Sequence, residues 1–188
     1  ILGCPLWADA STGSIRAERP SEWGGPESVP RLDPSDPWVE LTGRILGALA
    51  ERSAGRWPLA TTRMRGISDL LSAIYGGDGL SIAMMTDPDQ VHETASRLTD
   101  LWIDYALYQT ERIPPFHGGI GSFYYSMWAP ARTVWHQEDA VALLSPPLFE
   151  RFIAPCDRRI VGALDGCILH LHSTGFVPVD HYAAMGFK

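Results

Sequence analysis

The chain has 188 residues, 45% hydrophobic and 20% charged, enough to bury a core and unlike a disordered or collagen-like sequence. Fifteen Lys and Arg against 22 Asp and Glu give a formal charge of −7, which argues against broad binding to a nucleic-acid backbone and leaves room only for a local arginine cluster around an anion. No run approaches the ~18 apolar residues that cross a bilayer and no secretory signal opens the chain, so a membrane is not expected as a partner. Cys4, Cys156 and Cys167 form no spacing framework, which points to reduced thiols and a cytoplasmic setting.

The opening Ile1–Ala8 is apolar and reads as a strand. From Asp9 to Pro37 the chain is rich in Ser, Gly, Pro and charge, so residues 1–37 are expected to be a strand and a long loop excursion. Trp7, Trp23 and Trp38 either pin that excursion to the body or line a ligand. Residues 38–188 read as βα units. Asp36-Pro37 joins an N-cap acid to a first-turn proline, and Trp38, Leu41, Ile45 and Leu49 then recur at helical spacing. Arg56–Arg63 reads as a short strand broken by Gly66, and Ser68–Tyr75 as a short helix closed by Gly76-Gly77. The clearest helix starts at Asp87-Pro88, carries the stripe Val91, Ala95, Leu98, Trp102 and Tyr105, and runs to about Glu111. His92, beside the stripe, is expected at the surface.

Gly118, Gly119 and Gly121 lead into an aromatic strand, Phe123–Trp128. Glu138–Leu144 reads as a short helix. Ser145-Pro146-Pro147 starts another, with Phe149, Phe152, Ile153, Cys156 and Ile160 inward and a kink at Pro155. Cys167–Leu171 is a strand and Val179–Met185 a helix. Strands separated by helices imply parallel strands joined by crossovers, and no Asn-Gly hairpin signal interrupts them. A barrel and an open doubly wound sheet both fit this order. No glycine-rich phosphate fingerprint follows a strand, which favours the barrel over a dinucleotide-binding fold. The strand-like start at Ile1 and the stop at Lys188, where a new strand is due, predict one internal fragment of a barrel domain, spanning 1–188 and truncated at both ends.

The chemistry concentrates in Cys167-Ile168-Leu169-His170-Leu171-His172-Ser173. Side chains alternate along a strand, so Cys167, Leu169 and Leu171 share one apolar face and Ile168, His170 and His172 the other. In a barrel the second face points into the lumen, and the histidines lie at the carboxyl end of the strand, where barrel active sites assemble. Two such imidazoles converge on one metal ion, or they hydrogen-bond an anionic ligand or a buried carboxylate. No third ligand is marked by spacing. Arg63 and Arg65 end the earlier strand and suit a carboxylate or phosphate. Tyr124 is a lumenal candidate on the aromatic strand, with Trp128 beside it. In Trp135-His136-Gln137-Glu138-Asp139, His136 is a candidate for substrate contact and Asp139 for acid–base work, although acids at a helix start also serve its dipole. His117 is a loop candidate beside Gly118-Gly119. No nucleophile elbow, Walker loop, His-Glu-x-x-His or Cys-x-x-Cys is present.

Three stretches together resemble the uroporphyrinogen decarboxylase superfamily, which includes cobalamin-dependent methyltransferases. They are Met64-Arg65-Gly66-Ile67-Ser68-Asp69-Leu70-Leu71 with Tyr75-Gly76-Gly77, then Thr86-Asp87-Pro88-Asp89-Gln90-Val91, then Leu143-Leu144-Ser145-Pro146 with Phe152 to Pro155. The resemblance covers the chain from about Gly55 onward. It implies part of a (β/α)8 TIM barrel acting on a small molecule. The methyltransferase branch implies zinc at His170, with His172 where that branch has a cysteine, and a corrinoid carried by a partner protein. The decarboxylase branch implies no cofactor and uroporphyrinogen or a related polycarboxylate as substrate, its carboxylate-binding arginines falling near the family's amino terminus, outside this chain; on the residues' own reading, Arg63 and Arg65 would hold the carboxylates here. The enzyme is thus expected to be a methyltransferase or a decarboxylase-like lyase, against a non-catalytic small-molecule-binding barrel.

Overall fold

A computed structural model describes residues 1–18, 20–122 and 126–187. The chain opens on an antiparallel hairpin, β1 (Leu6–Asp9) and β2 (Ser14–Ala17), followed by a 3-10 turn at Pro26–Ser28. Helix α1 (Pro37–Ser53) leads to β3 (Met64–Arg65), and α2 (Ile67–Tyr75), α3 (Gly77–Thr86) and α4 (Pro88–Thr110) come next. A second antiparallel hairpin, β4 (Gly119–Ser122) and β5 (Met127–Pro130), precedes β6 (Thr133–Gln137). After a 3-10 turn at Asp139–Leu143, α5 (Pro146–Leu148) runs through a π-helical segment, Phe149–Ile153, into α6 (Ala154–Ala163). Strand β7 (Gly166–His170) and α7 (Val179–Met185) complete the order.

The architecture is mixed α/β around a parallel sheet of order β3-β6-β7. Among the described residues no further strand pairs with β3 or β7 in this sheet and no barrel closes. No described helix is long and apolar enough to cross a membrane. One face of the sheet carries Met64, Val134, His136 and Cys167, all buried under the helices. Ile67 and Leu71 of α2, Leu98 and Trp102 of α4, and Phe149 and Ile160 of the α5–α6 helix pack there.

Two helix starts form as the capping rules require. The Asp36 carboxylate accepts the Trp38 and Val39 amides at 2.9 and 3.2 Å, and Asp87 accepts the Gln90 amide. The α4 stripe from Val91 to Trp102 is buried, with Tyr105 partly so. Pro155 has no N–H to continue the ladder, and the chain meets it with the wide π turn just ahead of α6 rather than a simple kink.

Several expectations are corrected. Residues 56–63 are not strand; only Met64–Arg65 pairs, because β3 meets β6 at its last two residues. The central strand β6 went unread: Thr133 to His136 are all buried, so no polar–apolar alternation marks it. The aromatic run expected as a parallel strand contributes Met127 and Trp128 to a hairpin instead. The β1–β2 turn relies on Asp9 accepting the Ser11 amide and on Gly13 at φ +66°, a four-residue turn rather than the two-residue signal sought. Gly76-Gly77 closes α2, but the chain restarts at once as α3. On α1 the expected stripe faces outward: Trp38, Leu41, Ile45 and Leu49 are exposed while Val39 and Leu46 are buried. His92 is half-buried, stacked on Phe152 at 4.3 Å.

Gly66 joins β3 to α2 where the backbone runs closest to β6. A Cβ there would lie 2.6 Å from the Gln137 carbonyl oxygen and collide with the Glu138 carboxylate. Backbone on one side and a fully buried side chain on the other leave little room to yield. Gly66→Ala is therefore expected to lower unfolding free energy by about 1–3 kcal/mol. Urea denaturation measures this, and an unchanged midpoint would show that the strand end relaxes freely.

Candidate metal centre

Register brings the carboxyl ends of the three parallel strands level: Arg65 pairs with Gln137, and Gln137 with His170. Alternation then assigns faces. Trp135 and Gln137 share the face of Ile168 and His170, and His136 points the other way, toward the helices. The Trp135 ring stacks on His170 with centroids 5.3 Å apart, and His172 meets His170 edge-on at 5.0 Å.

Asp139, the first residue of the 3-10 turn after β6, turns back toward this pair. Its Oδ1 lies 3.6 Å from His170 Nε2 and 3.7 Å from His172 Nε2. Its Oδ2 accepts a hydrogen bond from the Gln137 amide at 2.6 Å. Oδ1 itself is shielded from solvent and has no hydrogen-bond partner. Donors on a tetrahedral zinc ion, each about 2.0–2.1 Å from the metal, stand about 3.3–3.4 Å apart. The observed spacing is too long for hydrogen bonds and a few tenths of an ångström wider than a ligand set. The group that could serve as a third ligand, unmarked by spacing, comes from Asp139 just after the neighbouring strand, a residue read as an acid–base candidate.

A second cluster lies beneath the sheet. His136 Nε2 is 3.1 Å from Glu138 Oε1 and 3.1 Å from Asp157 Oδ1, and all three side chains are fully buried. Glu138 also accepts the Ile67 amide at 2.6 Å, the Ser68 amide at 3.0 Å and the Ser68 hydroxyl, so it caps the start of α2. Burial alone would push His136 down; hydrogen bonds to Asp157 and Glu138 and their charges outweigh it and hold the imidazole up at about 10. Nearby Asp69 is pushed up to about 6 by burial and by the Glu138 charge, while its carboxylate accepts the Ala140 amide. The three ligand atoms of this cluster lie close enough to hold a cation. Their spacing is that of hydrogen bonds, however, Glu138 is already saturated with donors, and no face is open. This is an ion-pair network, and the tripod at Asp139 is the site with access.

The other sequence candidates separate. Arg65 sits in the same row as Gln137 and His170, partly exposed, with its guanidinium 3.8 Å from Asp69. Arg63 is exposed just before β3, and both arginines line an apolar cavity of about 210 Å³ with Leu70, Leu98, Trp102 and Tyr105. His136, expected at the substrate, has no surface at all. His117 and Trp128 belong to the β4–β5 hairpin, which pairs through Gly119 with Ala131 ahead of β6. That is the amino end of the strand, and Thr133 and Gln137 alone are ~13 Å apart at ~3.3 Å per residue. They do not join the histidines. Tyr124 lies outside the described residues.

Asp157 was not among the sequence candidates, and Glu138 and Gln137 entered only as members of the 135–139 segment, without individual roles. For Asp157 a signal existed: it follows Ile153 by four and precedes Ile160 by three, inside the apolar stripe. For Gln137 none did, since its role depends on register with β7. No protein-family model matches the chain, and no curated protein matches it.

Proposed function

We propose that Asp139, His170 and His172 hold a divalent transition-metal ion and that the chain performs metal-assisted group transfer on a small molecule. The observation that carries this reading is the solvent-shielded Asp139 Oδ1, without a hydrogen bond and 3.6 and 3.7 Å from two imidazole nitrogens, a few tenths of an ångström outside the spacing of zinc ligands. Two imidazoles and a carboxylate form a donor set that zinc accepts, and they leave coordination positions for substrate. His172 stands where the methyltransferase branch of the uroporphyrinogen decarboxylase superfamily has a thiolate, and Asp139 restores the negative charge. When bound, the ion supplies Lewis acidity that activates a thiol or oxygen nucleophile. Trp135 holds the His170 ring in place. Arg65, two strands away in the same row, is set to bind an anionic group of the substrate. The resemblance further favours a methyl donor carried as a corrinoid by a partner protein.

The test is metal analysis of the purified chain equilibrated with zinc, followed by methyl transfer from methylcobalamin to small thiols. Stoichiometric zinc that is lost in His170→Ala and His172→Ala is expected. A metal-free chain that still decarboxylates uroporphyrinogen would replace this reading with the lyase. Neither metal nor turnover, with small-molecule binding retained, would leave a binding barrel.

A further inference from the structure

We infer that Gln137 is the positioning residue that makes Asp139 a one-oxygen ligand. The inference rests on the metal reading of the Asp139 tripod. Asp139 follows the end of β6 and has only its own χ angles to direct it. A free carboxylate would rotate, presenting either oxygen or both to the histidines. Gln137 removes that freedom: its Nε2 donates to Oδ2 at 2.6 Å. The amide orientation follows from charge, because the opposite flip would set the amide oxygen against the carboxylate. Oδ1 is then the atom left facing His170 and His172.

The backbone between the two residues is held independently. Glu138 is fully buried against His136 and takes the Ile67 and Ser68 amides. Side chains at 137 and 139 thus project to the site from a segment pinned by the one between them. Gln137 is also level with Arg65 and His170 in the sheet register, so its own origin is set by pairing on both sides. Outer hydrogen bonds of this kind orient metal ligands, and losing one typically costs about 10- to 100-fold in metal affinity. A carboxylate released to bind through both oxygens would also raise the coordination number.

The test uses Gln137→Met, which keeps length and loses the donor, and Gln137→Ala as a second variant. Cobalt(II) serves as the probe, because its visible absorption is strong in four-coordinate sites and weak at higher coordination. Expected are a cobalt affinity about 10- to 100-fold lower, a weakened visible spectrum, and a metal-free melting temperature close to that of the original chain. A merely structural glutamine would move the melting temperature and leave the spectrum alone. Unchanged affinity and spectrum in both variants would overturn the role of Gln137 while leaving the metal centre standing. A folded original chain that takes up no cobalt, zinc or iron would overturn the metal reading and this inference with it.

Discussion

Replacing His136 with alanine is expected to remove about 3–5 kcal/mol of unfolding free energy, the typical cost of stripping one partner from a buried charge network. The imidazole touches Glu138 and Asp157 at 3.1 Å each, and neither carboxylate has any exposed surface. Without it two acids lie side by side under the sheet, with only the Ile67 and Ser68 amides and the Ser68 hydroxyl to compensate Glu138. A domain of ordinary stability, about 5–15 kcal/mol, would be left marginal. Urea titration at neutral pH reads the loss directly, and a cost under ~1 kcal/mol would show that the network contributes little. The same group sets an alkaline limit. Its unfolded value is near 6.5 and its folded value about 10, so its contribution is full below 6.5 and disappears as pH rises through 10. Stability measured across that range should fall in the original chain and stay flatter in His136→Ala.

Asp139→Asn should abolish tight metal binding, by more than the ~10- to 100-fold that losing an outer hydrogen bond costs, because a ligand itself is neutralised. The amide has the same shape, and its oxygen still accepts from Gln137. In the metal-free protein the change should be neutral or stabilising, since it removes a charge whose shielded Oδ1 has no hydrogen bond. Loss of metal with an equal or higher melting temperature distinguishes a ligand from a structural acid. Retained zinc, or a clear drop in stability without metal, would remove Asp139 from the centre.

What contiguous residues dictate was legible without a structure. Capping at Asp36 and Asp87, the α4 stripe, the inward face of Phe149 to Ile160 and the two faces of β7 follow from local backbone geometry, and all formed. The histidine pair could be placed on one face at the carboxyl end because strand alternation needs no partner. Central strand β6 was not legible because burial on both faces erases the alternating pattern, and hairpin β4–β5 carries no two-residue turn signal in its sequence.

The remaining features depend on groups that meet only when the sheet assembles. Alternation in β6 turns His136 away from the site and Gln137 toward it, and that parity has no meaning until β6 is known to be a strand. Asp139 reaches the histidines through the β6–β7 register. Asp157, an acid in an apolar stripe, becomes intelligible only beside His136. On α1, periodicity defines an apolar stripe but not which neighbour covers which side: Leu46 packs with Leu59, Ile113 and Ile120, and the Val39 carbonyl accepts the Tyr108 hydroxyl of α4. Sequence by itself marked two neighbouring imidazoles at the carboxyl end of β7, where His170 ends the strand and His172 lies just beyond it. Tertiary pairing decided that a carboxylate joins them, because that contact crosses strands and local rules act only along one.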